Sequence, residues 1–494
     1  MSFLIVGKAI ATRVPARLRE FLALNGCSKA TICSKSSLLS WRMAITLLAA
    51  GTTLLLNACS ASLTPASLQA STNSATSQSS GSQAGNLSPA QLPEVQAYEA
   101  DSFVDSIGVG LHMTYTYTNY YSNWPATLAD LQSLGVRHVR DGFYNFPAGT
   151  PYVAEHQQLA AAGIKTDYVM PINDATTPAL VASIAKQVGD MESVEGPNEC
   201  DLPGDCNNTT EAQGVSNMLA FMPTVDAAGA AAGVPVVAAA FSQYPAFTQV
   251  GNLSSEMTYN NLHVYYNGRY PGNNGWYAVD AQGNSYWGLP FWLNMANEDA
   301  PGTPVIMTET GYMMVSNPQQ NQIPESTGAS YIPRTLLLTY LQGVNRTYLY
   351  ELLDEPSSPG YGLIDGNMNP KPAFLALQNV IANLTDKGSS FTPGQLAYSL
   401  TGGDSTLKQI LFQKRDGSFW LVMWLEQSSW DEVNLVQTPV APQQVTLNLN
   451  SNYAVAKSGI IDSTGNMNWT NPAASPATLQ ISDAVTMVQI LPSK

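Results

Sequence analysis

A chain of 494 residues exceeds one ordinary domain and suits a barrel of ~250 residues with an accessory module. Charged residues are only 12% and Asn, Gln, Ser and Thr are abundant, the surface of an exported protein and not of a nucleic-acid binder. Seven of the 21 Lys and Arg lie in residues 1–58 against one acid, Glu20; the remainder holds 14 basic and 35 acidic residues, a net −21 that argues against polyanionic partners.

Met43–Ala58 is apolar, preceded by Lys35 and Arg42 and followed by Cys59. Sixteen residues is short for a spanning helix and matches the core of an export signal. Leu56-Asn57-Ala58-Cys59 resembles the lipobox of bacterial lipoproteins, which implies lipidation of Cys59; the simpler alternative is a signal cleaved near Ala58. Residues 1–58 are thus read as an export segment, with nothing to explain residues 1–42. Residues 59–95, mostly Ser, Ala, Gln, Thr and Gly without apolar period, read as a flexible tether. The expected location is the cell envelope, outer membrane included, with the membrane reached only through the lipid, or secretion.

From Asp101 onward, helical stretches end at glycine and β-rich runs follow. The junctions are Leu134-Gly135-Val136, Ala162-Gly163-Ile164, Ala232-Gly233-Val234 and Gln342-Gly343-Val344. Glycine closes a helix because it accepts the left-handed backbone, and the repetition implies parallel βαβ units. Strands are expected at Ile107–Leu111, Val136–Arg140, Thr166–Met170, Ser193–Glu195, Val236–Ala240, Asn261–Tyr265, Val305–Thr308 and Thr347–Tyr350. Helices are expected between most of them, among them Pro125–Leu134, Tyr152–Ala162, Gln213–Ala232 and Pro333–Gly343. This is a (β/α)8 barrel over residues 96–385. No glycine-rich phosphate loop follows the first strand, which weakens an open doubly wound sheet. Short alternating runs after Leu384 predict an antiparallel β-sandwich over 386–494, with a strand borrowed from the segment before Asp101.

Two strand ends carry acids. Ser193-Val194-Glu195-Gly196-Pro197-Asn198-Glu199 stops at Gly-Pro and then presents an amide and a carboxylate. Val305-Ile306-Met307-Thr308-Glu309-Thr310-Gly311-Tyr312 ends the same way. By strand count Glu199 tops strand four and Glu309 strand seven, so both point into one mouth of the barrel. Two carboxylates across a cleft suit glycoside cleavage, one protonating the leaving oxygen and the other attacking the anomeric carbon.

On these residues, over roughly 101–385, the chain resembles the clan A glycoside hydrolases, retaining enzymes with a (β/α)8 barrel, and among them families 39, 30 and 5. The resemblance implies that Glu199 is the general acid/base, Glu309 the nucleophile, and Asn198 a ligand of the sugar 2-hydroxyl. Arg140, ending strand two, resembles the clan's arginine beside the nucleophile, where a guanidinium keeps a carboxylate ionised. His263 and Tyr265 share one face of strand six, where the clan often places residues that bond the nucleophile; which of them does so stays open. Tyr312 and Glu351 complete the candidate sugar contacts. The order Gly-Pro-Asn-Glu differs from the Asn-Glu-Pro of many members, and Tyr350-Glu351 stands where many have tryptophan.

Aromatic residues crowd two loops: Tyr115, Tyr117, Tyr120, Tyr121 and Trp124 after strand one, and Tyr266, Tyr270, Trp276, Tyr277, Tyr286 and Trp287 after strand six. Such rings stack on sugar faces. Asp354-Glu355 reads as a solvated turn. Cys200 and Cys206 are expected to close a disulfide loop next to Glu199. The four histidines are scattered in sequence, so no metal or other cofactor is expected. The expected activity is retaining hydrolysis of a β-linked oligo- or polysaccharide by a monomer. A non-catalytic glycan-binding lipoprotein on the same barrel is the alternative.

Overall fold

The structure is a computed structural model that describes residues 92–493 apart from 145, 147–149, 174, 274, 276–282, 284–285 and 472–475. The export segment, Cys59, the tether up to residue 91, Trp276 and Tyr277 lie outside the described residues. Among those described, no helix is long and apolar enough to cross a membrane.

Eight parallel strands alternate with eight helices. The strands are β1 (Ile107–Gly110), β2 (His138–Gly142), β3 (Lys165–Val169), β4 (Met191–Glu195), β5 (Val236–Val237), β6 (Asn260–Tyr265), β7 (Val305–Gly311) and β8 (Arg346–Leu349). The helices are α1 (Trp124–Leu134), α2 (Tyr152–Ala161), α3 (Pro178–Val188), α4 (Glu211–Ala232), α5 (Tyr244–Gln249), α6 (Leu289–Asp299), α7 (Glu325–Leu341) and α8 (Pro372–Leu384). Each strand pairs with its sequence neighbours, and β8 pairs with β1. Closure between β5 and β6 comes from a parallel bridge of Val237 to Tyr259, where the Ala238 amide donates to the Tyr259 carbonyl at 2.9 Å. The molecule is therefore a (β/α)8 barrel. Strands such as β1 are buried along their whole length, having the barrel interior on one face and helices on the other. The helix ends follow the glycine punctuation: Gly135 and Gly233 adopt φ of 86° and 74° and return their amides to Leu131 and Gly229.

One helix departs from the sequence reading, and the segment before Asp101 goes where that reading put it. Helix α7 starts at Glu325, and Pro333 lies inside it instead of opening it. An interior proline costs about 3 kcal/mol, but nearly every residue from Thr327 to Leu337 is buried, so packing outweighs that loss. The segment before Asp101 belongs to the sandwich: Glu94–Gln96 and Tyr98–Glu99 add an edge strand to each of its two sheets.

The sandwich comprises β9 (Gln395–Gly402), β10 (Leu407–Gln413), β11 (Phe419–Leu425), β12 (Gln443–Leu449), β13 (Tyr453–Ile461), β14 (Met467–Thr470), β15 (Ala477–Ile481) and β16 (Thr486–Pro492). One sheet holds β9, β12 and β15; the other runs β10-β11-β16-β13-β14. All seven residues of β11 are buried. Phe419, Leu421, Met423 and Leu425 enter the core between the sheets, while Trp420, Val422 and Trp424 join the larger core of the barrel. Alternation thus serves two cores at once. On the barrel side α7 meets this sheet, and fully buried Arg334 pairs with Glu426. Glu426 also accepts from the Gly272 amide at 3.0 Å, and Arg269 donates to Glu432 at 3.0 Å. The sandwich thereby holds the loop that follows β6, on the rim where β6 ends.

Candidate active site

The carboxyl ends of β2, β4 and β7 converge on one guanidinium, and β6 lines the acids it holds. Buried Arg140, on β2, donates through Nε and Nη2 to the two oxygens of Glu195, both at 2.8 Å. Its Nη1 donates to Glu309 Oε1 at 2.6 Å, and Nη2 also reaches Asn198 Oδ1 at 2.7 Å. Burial alone would lower the Arg140 pKa, but Glu195 and Glu309 outweigh it and raise it, so the cation is permanent. Under this layer Asp167 accepts from Ser193 at 2.5 Å, and burial beside Glu195 pushes its carboxyl well above the usual range.

Glu309 is held at both oxygens, since Tyr265 donates to Oε2 at 2.8 Å. Burial first, and then the Glu309 charge, raise the Tyr265 hydroxyl well above its ordinary value and keep it a neutral donor. His263 turns to the other acid. Its Nδ1 lies 2.9 Å from Glu199 Oε1 and 3.6 Å from Glu309 Oε2, and its Nε2 lies 3.0 Å from Thr308 Oγ1. Burial lowers the imidazole's proton affinity, but Glu309 and Glu199 outweigh it and the pKa is raised. An imidazolium there donates to Glu199 and Thr308 together. One oxygen each of Glu199 and Glu309 lie with His263 within 4.8 Å of one another.

The sequence explains this placement locally. After β4, Gly196 lets the chain pass against the backbone of Ala239, where a Cβ would collide. Glu199 itself takes φ 45°, a left-handed conformation costly for a side-chain-bearing residue and typical of sites held by their surroundings. The surroundings here are the Cys200–Cys206 disulfide, with Cα atoms 5.2 Å apart, and Asp201, which accepts the amides of Ser242 and Gln243 after β5.

Arg140, Asn198, Glu199, His263, Tyr265 and Glu309 thus form one constellation. Tyr312 does not join it: one step beyond Gly311 its ring turns inward, stacks on Tyr266 at 5.9 Å and packs against Tyr331. Glu351 lies apart from the Glu309 cluster, fully buried, and accepts from Tyr120 and Ser358. Asp354 caps a turn by accepting from Gly360 and Gly362 and pairing with Lys371. Of the aromatic residues named from sequence, Tyr117 and Tyr121 are exposed, whereas Tyr120, Trp124 and Tyr266 are packing. Glu195, Asn261 and Thr308 escaped the sequence reading. Asn261 donates to Glu195 at 3.0 Å, and Thr308 bonds Asn261 at 2.7 Å. The period of two along β6, which puts Asn261 on the face of His263 and Tyr265, is the signal by which it could have been found.

Buried acids dominate the barrel's titration. Burial pushes Asp141, Glu155, Asp201 and Asp299 each up to about 7. Between pH ~4 and ~7 the folded chain keeps protons that the unfolded chain has released, so stability falls as pH rises through that window. His263, raised above its ordinary value, acts in the same direction and loses its contribution as pH rises further. The urea midpoint is therefore expected to be higher at pH 5 than at pH 8. Equal midpoints by tryptophan fluorescence would contradict these protonation states.

The fold is a (β/α)8 barrel with a β-sandwich, carrying two facing acids at the carboxyl rim of the barrel. Among solved structures, the chain is similar to a family 39 glycoside hydrolase from Bacteroides cellulosilyticus WH2, with TM-score 0.54 and 14% identity over 80% of this chain and 83% of that one. It is also similar to a family 39 enzyme from Xanthomonas axonopodis pv. citri, with TM-score 0.50 and 13% identity over 81% of this chain and 96% of that one. At such identities the likeness is one of fold. No protein-family model and no curated protein sequence matches the chain.

Proposed function

We propose that the protein is a retaining glycoside hydrolase acting on a β-linked glycan, with Glu309 as nucleophile and Glu199 as general acid/base. The observation that carries this reading is the closeness of the two carboxylates, one oxygen of Glu199 lying within 4.8 Å of one oxygen of Glu309. Retaining enzymes hold their carboxyl groups ~5–5.5 Å apart, whereas inverting enzymes need ~6.5–9.5 Å to admit a water between them. Arg140 and Tyr265 hold Glu309 by both oxygens, so the attacking carboxylate is oriented by two donors, one of them a cation. Glu199 protonates the departing oxygen, then takes a proton from water when the glycosyl ester is cleaved. Asn198, fixed by Arg140, is within the same cluster and serves the sugar 2-hydroxyl.

A screen of soluble polysaccharides and aryl β-glycosides identifies a substrate, and proton NMR of the first sugar released gives the stereochemistry. The β anomer is expected first, with mutarotation following. Initial release of the α anomer would reject the retaining mechanism, and sugar binding without any cleavage would favour a glycan-binding protein.

Leu56-Asn57-Ala58-Cys59 supports export and lipid anchoring at Cys59. Cys59→Ser is expected to move the protein from the membrane fraction to the soluble one. Unchanged partition would reject the anchor.

A further inference from the structure

The histidines are scattered in sequence, yet the barrel brings one of them to a second pair of carboxylates. His112 follows β1, and Glu351 and Glu355 follow β8, the strand hydrogen-bonded to β1. His112 Nε2 lies 3.6 Å from Glu351 Oε2 and 3.6 Å from Glu355 Oε1. The three donor atoms all lie within 4.8 Å of one another. We propose that His112, Glu351 and Glu355 form a binding site for a divalent transition-metal ion of the zinc class.

The hydroxyls around the cluster arrange the carboxylates for this. Ser358 donates to Glu351 Oε1 at 2.7 Å and Tyr120 to Oε2 at 3.1 Å. Ser357 donates to Glu355 Oε2 at 2.8 Å, with Tyr117 at 3.4 Å on the same oxygen. Glu355 Oε1 is buried and accepts no hydrogen bond, although it faces the imidazole and the other acid. Both glutamates are almost wholly buried. Among the described residues neither has a Lys or Arg ion-pair partner.

Two carboxylates facing each other in low dielectric either share a proton or hold a cation between them, and burial beside Glu355 raises the Glu351 carboxyl well above its usual range when no cation is there. A tetrahedral zinc site with bonds of ~2.0–2.1 Å spaces its donors by roughly 3.3 Å, close to the spacing found. One imidazole nitrogen and two carboxylate oxygens are a suitable donor set with a fourth position left over. Ser358 and Ser357, which fix the remaining oxygens, are the outer-shell partners such a site uses to orient its ligands, and Tyr120 shares Glu351 Oε2 with the site. The His112 side chain is 18% exposed while its Nε2 is buried, so the ring borders solvent and its ligating nitrogen faces the two acids. An ion here would tie the loop after β8 to the loop after β1. That rim adjoins the acids of the first site: Ser358 also bonds the Tyr350 hydroxyl at 3.1 Å, Tyr350 packs on Tyr361, and Tyr361 packs on Tyr265.

The test is zinc binding and does not depend on hydrolysis. Purified protein is stripped with chelator, incubated with ZnCl2, desalted and measured by elemental mass spectrometry and thermal unfolding. About one zinc per chain and a higher unfolding midpoint are expected. His112→Ala and Glu355→Gln are expected to weaken zinc binding by more than ~100-fold and to remove the midpoint shift. Glu355→Gln keeps the side-chain shape and decides the matter where His112→Ala does not fold. Failure of the parent to retain zinc overturns the site, because the two acids then share a proton instead. Equal retention by parent and variants overturns it too, as does equal retention of Mg2+ by the parent.

Discussion

Glu309→Gln is expected to lose glycoside cleavage by ~10^4-fold or more on every substrate, activated or not. A carboxamide cannot attack the anomeric carbon, and a better leaving group does not replace a missing nucleophile. The variant should still fold, since Arg140 keeps both of its bonds to Glu195 and Tyr265 keeps a carbonyl oxygen to which it can donate. Circular dichroism and the thermal midpoint verify this independently of activity. Substantial turnover of an aryl glycoside by a folded Glu309→Gln protein would move the nucleophile to another residue.

Glu199→Ala should behave differently, because the two acids have different duties in the proposed mechanism. With a natural glycan, loss of the proton donor lowers the rate by about 10^2–10^4-fold. A dinitrophenyl glycoside needs little protonation, so its first step proceeds and a burst of dinitrophenolate equal to the enzyme concentration is expected. Turnover then stalls, because no base remains to activate water on the glycosyl ester. Azide is a nucleophile that needs no base, so it should restore turnover and yield a glycosyl azide of β configuration. An α azide, or rescue of Glu309→Gln instead, would exchange the two roles. The disulfide beside Glu199 and the bonds of Asp201 to the segment after β5 keep the loop in place when the side chain is cut back.

The sequence by itself determined the barrel and the side of it on which the two acids stand. Glycine at the helix ends and apolar runs after them are local signals, and parallel strands that end in acids must present them at one rim. Hence Glu199 and Glu309 could be paired without coordinates. Alternation along β6 placed His263 and Tyr265 on one face for the same reason. Their division of labour is a tertiary result. The stagger between β6 and β7, with a register shift between Leu262 and His263, brings Tyr265 to Glu309 and leaves His263 nearer Glu199. The left-handed turn at Glu199 contributes to the same outcome.

Arg140 was legible as a partner of one acid, but its grip on Glu195, Asn198 and Glu309 together depends on three strands converging. Tyr312 was read from its nearness in sequence to Glu309, whereas the chain beyond Gly311 turns the ring onto Tyr266 and Tyr331. Pro333 looked like a helix start because proline is a strong local signal; burial of α7 in the barrel's core overruled it. His112 and Glu351 were joined only by closure of β8 onto β1, a pairing between the two ends of the barrel sequence. Local periodicity determines which way a side chain faces along its own strand. What it meets there is set by closure, stagger and docking of the sandwich, and these depend on contacts remote in the chain.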